Sequence, residues 1–384
     1  MGADLVTLCL CGDVMLGRGV DQVLPHPGDP ALREPHIDDA RIYVELAEAV
    51  NGPIPRPVGF AWPWGDALSI LDAYAQAVRV VNLETAVTTS GAYAPGKAIH
   101  YRMNPGNLPC LAVARPDVCV LANNHLLDFG RAGLTETLDT LAAAGLSTAG
   151  AGRDQDEARR PVAVPLPEGR RVLVFAFGMP SSGVPPDWAA APDRAGVDFV
   201  PEPSPTAAAA ITERVRRAKR PGDIAVASLH WGSNWGYFIS REQIVFAHAL
   251  IDGGVDVVHG HSSHHPRPIE IYRGHLVLYG CGDMIDDYEG ITGYEEYRGD
   301  LRLLYLASLD PDSGRLAALR MAPLRIQRLR LRHAAPDDTE WLRATLDRAG
   351  RGLGGRIRSA PDGMLALVAD RAGRTAAATP RPGS

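Results

Sequence analysis

Five hydrophobic segments of the chain each end on side chains that can bind a metal ion. The side chains at these ends are carboxylates, amides and imidazoles, namely Asp13, Glu84, Asn123 with Asn124 and His125, His230, and His261 with His264. If the segments are strands of a mainly parallel sheet, their carboxyl ends lie along one edge, where ligand crevices form. Mixed oxygen and nitrogen donors suit a two-metal site. The pattern therefore predicts a metalloenzyme.

Both carboxylates in this set also have a structural interpretation. Asp13 follows the first strand and could be a metal ligand or the N-cap of the next helix. Glu84 ends a short buried strand, and a buried carboxylate needs a partner. A bridging position between two cations would satisfy Glu84, and a salt bridge with Arg79 or Lys97 is the alternative.

Histidines and their acidic neighbours could supply acid–base chemistry. His125 could act as a general acid whose tautomer Asp128 fixes, although these residues could also form a polar turn before a helix. Seven of the twelve histidines lie between residues 230 and 275, a density that packing explains poorly. Asp283 follows another strand and could orient histidine ligands, transfer protons or lie in a plain acidic turn. Arg18 could reach an anionic substrate or lie at the surface.

Strand and helix patterns alternate from the start to about residue 310, which predicts an α/β fold. Helices are predicted over residues 42–50, 64–77, 132–144, 207–219, 241–252 and 336–348, and late strands over residues 301–308, 315–321 and 324–331. We expect one domain over residues 1–335, a C-terminal helix and strand packed on it over residues 336–370, and a disordered tail over residues 371–384. The proline-rich stretches 24–63 and 179–205 are expected to be loops that could border or cover the site.

The composition is that of an ordinary globular chain. A net charge of −6 over 384 residues offers no footprint for nucleic acid or for an anionic membrane. No apolar run approaches the roughly 20 residues that span a bilayer. The five cysteines suit free buried thiols in a reducing compartment. These features predict a cytoplasmic protein whose partner is a small molecule or a peptide.

Taken in order, the motifs resemble those of the CapA family, the poly-γ-glutamate capsule biosynthesis proteins, within the metallo-dependent phosphatase (calcineurin-like) superfamily. The matching motifs are GDVMLGR at 12–18, NLET at 82–85, ANNH at 122–125, GAG at 150–152, HWG at 230–232, GHSSH at 260–264 and YGCGD at 279–283. They span about residues 5–290, and the ordered set is far more specific than any single motif. The resemblance implies a four-layer α/β/β/α sandwich with a metal site where the strand ends of two sheets meet.

The resemblance also implies a role for each residue of the site. Asp13 and His264 would hold one metal ion, Asn124, His230 and His261 the other, and Glu84 would bridge them. His125 would take the place of the general acid. Arg18, Asn123, Asp128 and Asp283 would surround the ligands or contact the substrate. The implied cofactors are divalent ions, two in number, of the Mn, Fe or Zn class.

Three departures from the family pattern affect the expected chemistry. Met15 occupies the place where the phosphoesterases usually carry a histidine, so the first ion is expected to have fewer ligands and to exchange. Ser262 and Ser263 replace residues of the usual Gly-His-His-Pro-His motif, but both expected ligands are present. We expect no N-terminal membrane anchor, which capsule-forming members commonly carry.

Three functions are compatible with these residues. The first is a metal-dependent hydrolase that cleaves a phosphoester or a γ-glutamyl or peptide amide, with His125 protonating the leaving group. The second is a peptide epimerase in a natural-product pathway, in which Asp13 acts as the base at Cα. Incubation in deuterium oxide separates the two, since exchange at Cα without cleavage indicates epimerisation. The third is a non-catalytic accessory subunit of poly-γ-glutamate synthesis.

Overall fold

The computed structural model describes residues 5–370 of the chain. Its strands are β1 (Val6–Val14), β2 (Val78–Leu83), β3 (Ala86–Val87), β4 (Arg102–Met103), β5 (Val118–Val120), β6 (Ser147–Ala149), β7 (Ala151–Gly152), β8 (Val162–Pro165), β9 (Arg171–Gly178), β10 (Gly196–Val197), β11 (Ile224–His230), β12 (Val257–His261), β13 (Ile269–Tyr272), β14 (His275–Leu278), β15 (Asp283–Ile285), β16 (Leu301–Leu309), β17 (Leu316–Ile326), β18 (Leu331–His333), β19 (Gly355–Ser359) and β20 (Leu365–Ala369). The α-helices are α1 (Arg18–Val23), α2 (Arg41–Asn51), α3 (Ala67–Ala73), α4 (Pro109–Ala112), α5 (Gly130–Ala143), α6 (Gln155–Arg159), α7 (Pro205–Ala218), α8 (Arg241–Asp252) and α9 (Pro336–Ala349).

Two large sheets contain most of the strands. One has the order β19-β20-β17-β16-β1-β2-β5-β6, with β15 added beside β1 and β18 beside β17. Its half from β1 to β6 is parallel and its other half is antiparallel. The second sheet has the order β13-β14-β12-β11-β9-β8 and is parallel from β14 to β9. The carboxyl ends of β1, β2 and β5 and of β11 and β12 carry the predicted site residues.

The second sheet is buried on both faces, as its nearly continuous apolar strands predict. Along β9, Val174 and Ala176 join the core cluster that also contains the strands of the first sheet. Phe175 and Phe177 alternate with them and pack in a second cluster with Ile211 of α7 and with residues of α8. Leucines of α5 belong to the first cluster, on the other face of the first sheet. The predicted four-layer α/β/β/α sandwich is confirmed.

The prediction of separate strands over residues 315–321 and 324–331 is wrong. One continuous strand, β17, runs through both segments, and the chain then turns before β18. Arg328 and Leu329 form this turn with positive φ angles of 56° and 51°. The side chain of Glu289 holds the turn by accepting hydrogen bonds from both backbone N–H groups. A carboxylate that is distant in sequence therefore fixes this turn, which the local pattern of residues 324–331 does not reveal.

The predicted helix over 64–77 is also shorter than expected, because α3 covers only Ala67–Ala73. After α9 the chain adds two strands, where the sequence predicted one, and β20 pairs with β17 of the first sheet. The tail predicted over residues 371–384 lies outside the described residues. Within residues 5–370, the helices are all too short or too polar to cross a bilayer.

Candidate metal centre

Asp13 lies at the centre of the site, between the two sheets. Its carboxylate is 1 % exposed and accepts hydrogen bonds from Asn82 Nδ2 at 2.7 Å and from the backbone N–H of Ser262 at 3.1 Å. Asn82 ends β2 in the first sheet, and Ser262 follows β12 in the second. His261 Nδ1 lies 3.8 Å from Asp13 Oδ1. The strand ends of both sheets therefore meet at this carboxylate.

Three buried carboxylates converge here, those of Asp13, Glu84 and Asp283. One oxygen from each lies within 4.8 Å of the others. Burial, followed by the charges of the other two carboxylates, raises the pKa of Glu84 well above its ordinary value. Burial and the charge of Asp283 raise the pKa of Asp13 to about 7. A divalent cation would relieve this concentration of negative charge.

Glu84 shows the need for a cation most clearly. It is 4 % exposed, and its carboxyl group hydrogen-bonds to that of Asp13, a contact that needs a proton on one of the two groups when no cation lies between them. Nε2 of His230 lies 3.6 Å from Oε1 and Nε2 of His125 lies 3.9 Å away. The alternative partners lie elsewhere, since Lys97 pairs with Asp128 and Arg79 donates to backbone carbonyl groups. The predicted alternative, a salt bridge between Glu84 and Arg79 or Lys97, is therefore wrong.

Two imidazoles complete the inner part of the site. Nδ1 of His230 and Nδ1 of His261 are 2.8 Å apart, and each ring has a nitrogen within 4.8 Å of a carboxylate oxygen of Asp13. His230 Nε2 lies 3.0 Å from the amide oxygen of Asn124. Burial lowers the pKa of both histidines well below the ordinary value, so both rings are neutral. Neutral imidazole is the form that ligates metal ions.

A hydrogen-bond chain fixes the tautomer of His261. His259 Nε2 can only donate to the carbonyl oxygen of Cys11, at 2.9 Å, so its Nδ1 accepts from Ser228 Oγ at 3.1 Å. Ser228 Oγ then accepts from His261 Nε2 at 2.9 Å. The lone pair of His261 therefore lies on Nδ1. When His230 Nε2 donates to the amide oxygen of Asn124, the Nδ1 atoms of His230 and His261 both carry lone pairs and face each other. A cation bound by both nitrogens would stabilise this arrangement.

His125 lies beside this group with its predicted acidic neighbour. Its Nδ1 is 2.6 Å from Asp128 Oδ2, and its ring stacks on Tyr101 with centroids 3.7 Å apart. The backbone N–H of Tyr101 and the ammonium of Lys97 also donate to Asp128. Burial and then the charge of Lys97 lower the pKa of His125 well below its ordinary value. Neutral His125 thus donates from Nδ1 and presents the lone pair of Nε2 toward Glu84.

The structure brings Asn123 and Arg18 close to the site but directs both toward other protein groups. Asn123 donates to Asn82 Oδ1 at 3.1 Å and accepts from the backbone N–H of His125 at 3.1 Å, so it braces the ligand loops. Arg18 is buried in an ion pair with Asp287 and also donates to Glu34. This pairing leaves Arg18 behind the site rather than open to an anionic substrate.

His264 lies at the edge of the site. Its Nδ1 is 3.1 Å from Asp283 Oδ2, and its ring meets Tyr288 edge-on at 5.1 Å. Within residues 5–370, the sets of ligand atoms around Asp13 that lie within 4.8 Å of one another include an oxygen of Asp283 but no nitrogen of His264. Asp283 thus takes the position beside Asp13 that the family resemblance implies for His264, and His264 lies further out.

A cavity of about 490 Å³ adjoins the site and shares His264 and Tyr288 with it. Trp235 and Tyr294 stack on its wall with ring centroids 4.2 Å apart. Its Arg298 is paired with Asp300 and Asp338 outside the metal centre. The cavity has the size of a small-molecule site and lies where a substrate could reach the carboxylates.

The proline-rich loop over 179–205 borders the centre on another side. Ser182 Oγ donates to the carbonyl oxygen of His230 at 2.7 Å. Gly183 has a φ of +83°, and a Cβ added there would lie 3.2 Å from Asn124 Nδ2. The sequence predicts that the stretch 179–205 could border the site, and these contacts agree with that expectation. Tyr101, Tyr288 and Ser228 were not predicted, and their only signal is proximity in the fold.

Comparison with known proteins identifies the family of this chain. Residues 7–288 match the family model described as "Bacterial capsule synthesis protein PGA_cap". The "Probable polyglutamine synthesis accessory protein" of Mycobacterium tuberculosis (strain ATCC 25618 / H37Rv) is 55 % identical over 366 residues, 95 % of this chain and 96 % of that protein. "PGA biosynthesis protein CapA" of Bacillus subtilis (strain 168) is 26 % identical over 285 residues, 74 % of this chain and 64 % of that protein.

Among solved structures, a 5'-nucleotidase precursor from Thermus thermophilus aligns with a TM-score of 0.47 and 16 % identity, covering 88 % of this chain and 58 % of its own. The family match, the sequence identity to the mycobacterial protein and the two-sheet sandwich agree with one another. The chain belongs to the PGA_cap, or CapA, family of bacterial capsule synthesis proteins.

Proposed function

We propose that the protein is a metal-dependent hydrolase with a dinuclear site that acts on a phosphoester or on a γ-glutamyl or peptide amide. The observation that carries the proposal is the convergence of three buried carboxylates, those of Asp13, Glu84 and Asp283, with one oxygen of each within 4.8 Å of the others. Divalent ions of the Mn, Fe or Zn class fit this donor set. The residues that would hold them include Asp13, Glu84, Asn124, His230 and His261.

Bound divalent ions would make water more acidic and stabilise the negative charge that develops in the transition state. The protein groups around them handle protons and orientation. His125 can take up a proton at Nε2 and deliver it to a leaving group, because Asp128 holds Nδ1–H at 2.6 Å. Tyr101 stacks on the ring and restricts its motion. The adjoining cavity would bind the part of the substrate that does not react.

The names of the relatives support a γ-glutamyl amide as the substrate class. One relative is named for polyglutamine synthesis and another for PGA biosynthesis. A hydrolase in such a system would release or shorten a polymer. The second candidate function is a non-catalytic accessory subunit, and the observation that favours it is the word "accessory" in the name of the mycobacterial relative.

Metal analysis and turnover of the purified protein test both candidates. Elemental analysis after loading with Mn²⁺ or Zn²⁺ is expected to give two ions per chain. Assays with p-nitrophenyl phosphate, its diester and γ-glutamyl oligopeptides are expected to show cleavage that EDTA abolishes. A chain that retains no ion contradicts the metal site. A chain with two ions that cleaves none of these compounds favours the accessory role.

The variant His125→Gln separates catalysis from metal binding. We expect it to keep both ions and to lower kcat by about 10²–10⁴-fold, the usual contribution of a general acid or base. His248→Gln is a matched control. His248 lies on α8, away from the centre, and its Nε2 is 2.9 Å from Oε1 of Glu270 on β13. Unchanged turnover in His125→Gln would remove His125 from the mechanism.

A further inference from the structure

Strand β15 brings a third buried carboxylate, that of Asp283, to the candidate metal centre. It runs parallel to β1, with Asp283 in register with Asp13. The backbone N–H of Asp13 donates to the carbonyl oxygen of Gly282 at 3.1 Å, which couples the two strands. Asp283 is 3 % exposed, and its carboxylate has an oxygen within 4.8 Å of both other carboxylates.

The sequence permits this close approach at one position. A Cβ added to Gly12 would lie 1.7 Å from the carbonyl oxygen of Gly282, so any other residue at position 12 would push β15 away. Gly12 stands directly before Asp13 on β1. The residue beside the central carboxylate therefore also provides the space for the strand that carries Asp283.

Met15 lies two residues after Asp13 and is buried beside β15. The family resemblance implies a histidine ligand at this position, and a thioether is a poor ligand for a hard or borderline divalent ion. The backbone N–H of Met15 donates to the carbonyl oxygen of Ile285 at 2.8 Å, so the same two strands continue past this point. A carboxylate is a suitable replacement for the absent imidazole.

His264 contacts the outer side of this carboxylate. Its Nδ1 is 3.1 Å and 3.2 Å from the two oxygens of Asp283. Metal-binding carboxylates are commonly held by hydrogen bonds from residues behind them. An imidazole that donates to Asp283 fits this supporting position, and Asn234 lies 3.2 Å from its other nitrogen.

We propose that Asp283 is a direct ligand of the ion next to Asp13 and that His264 is a positioning residue that holds Asp283. The proposal rests on the proposed metal-dependent function, and it exchanges the roles that the family resemblance implies for these two residues. The ligand is a divalent cation of the Mn, Fe or Zn class. Asp283 thus supplies the donor that Met15 does not.

Metal stoichiometry of two variants distinguishes the two arrangements. Asp283→Asn keeps an oxygen that can accept from His264, so the fold is expected to persist, and circular dichroism in EDTA checks this. Titration with Mn²⁺, followed by calorimetry and elemental analysis, is expected to show that one of the two ions binds at least 100-fold more weakly. His264→Ala is expected to bind both ions, with one affinity lowered by about 10-fold, as for other supporting residues.

Asp198→Asn serves as a matched control, because this buried carboxylate pairs with Arg214 at 2.7 Å outside the centre. It is expected to bind both ions as the parent protein does. Two tightly bound ions in Asp283→Asn, or a loss in His264→Ala that equals or exceeds the loss in Asp283→Asn, would overturn the assignment. A parent protein that binds no ion would instead contradict the proposed function itself, so the two failures are distinguishable.

Discussion

Replacing Glu84 with glutamine is expected to stabilise the metal-free protein while it weakens metal binding. At a separation of 4.8 Å, two unit negative charges repel each other by about 3.5 kcal/mol when the effective dielectric constant is about 20. Protonation already relieves part of this repulsion, because the pKa of Glu84 is raised by burial and by its acidic neighbours. We therefore expect a net gain of about 1–3 kcal/mol in the free energy of unfolding at pH 8.

The amide is expected to be well tolerated at this position, since the Nε2–H group of glutamine can donate to Asp13 as the protonated carboxyl group of Glu84 does. The sign of the pH dependence follows from the raised pKa. The unfolded chain ionises near the ordinary value of 4.5, whereas the folded chain ionises at a much higher pH. The parent protein therefore loses stability relative to Glu84→Gln as the pH rises above about 4.5, and the gain is small at pH 5 and larger at pH 8.

Thermal and urea unfolding in EDTA at both pH values measures this effect. Asp223→Asn should change stability in the opposite direction, because its carboxylate accepts hydrogen bonds from the guanidinium of Arg171 and from the backbone N–H of Arg220, and the change weakens both. A lower stability of Glu84→Gln at pH 8, or an equal gain at both pH values, would show that the three carboxylates do not repel one another as we infer.

Two further predictions concern protons and the cavity. Metal binding near pH 6 is expected to release protons, since burial raises the pKa of Asp13 to about 7, and the affinity should rise between pH 6 and pH 8. Calorimetry in buffers of different ionisation enthalpy counts these protons, and a buffer-independent heat contradicts the expectation. Tyr294→Ala should raise KM for p-nitrophenyl phosphate by about 10-fold with little change in kcat. Phe238→Ala, which is 80 % exposed and outside the cavity lining, should leave both constants unchanged.

Elements with strong local signals were predictable from the sequence. Helix α8 covers Arg241–Asp252, as predicted, because Ser240 and Gln243 form a capping box at its start and a glycine follows its end. The turn at Arg328 and Leu329 was not predictable, since a carboxylate about 40 residues away in sequence fixes it. Helix α8 depends on interactions within its own segment, which the sequence shows. Contacts between residues distant in sequence determine the turn at Arg328 and Leu329.

The same distinction applies to the metal centre. Parallel strands of one sheet place their carboxyl ends at one edge, so Asp13 and Glu84 could be grouped without coordinates. His230 ends a strand of the second sheet, and the family resemblance, rather than a single sheet edge, implied its place in the site. The order of Asp283 and His264 depends instead on how closely β15 approaches β1. The distance between β15 and β1 cannot be predicted from the spacing of residues along the chain. His259 shows a related limit, since it lies two residues before His261 on β12, but its part in fixing the tautomer of His261 depends on contacts with Ser228 and Cys11 that the sequence does not reveal.

The energetic cost of the metal-free centre and its capacity to bind metal have one origin. Burial raises the pKa of Asp13 and of Glu84, and the neutral imidazole of His230 beside them cannot offset their charge. The apolar contacts between the two sheets must therefore stabilise a site that is unfavourable by itself. An ion that binds only the folded chain recovers this energy and shifts the folding equilibrium. Variants that neutralise the centre should consequently gain stability in EDTA and lose the stabilisation that added metal gives the parent protein.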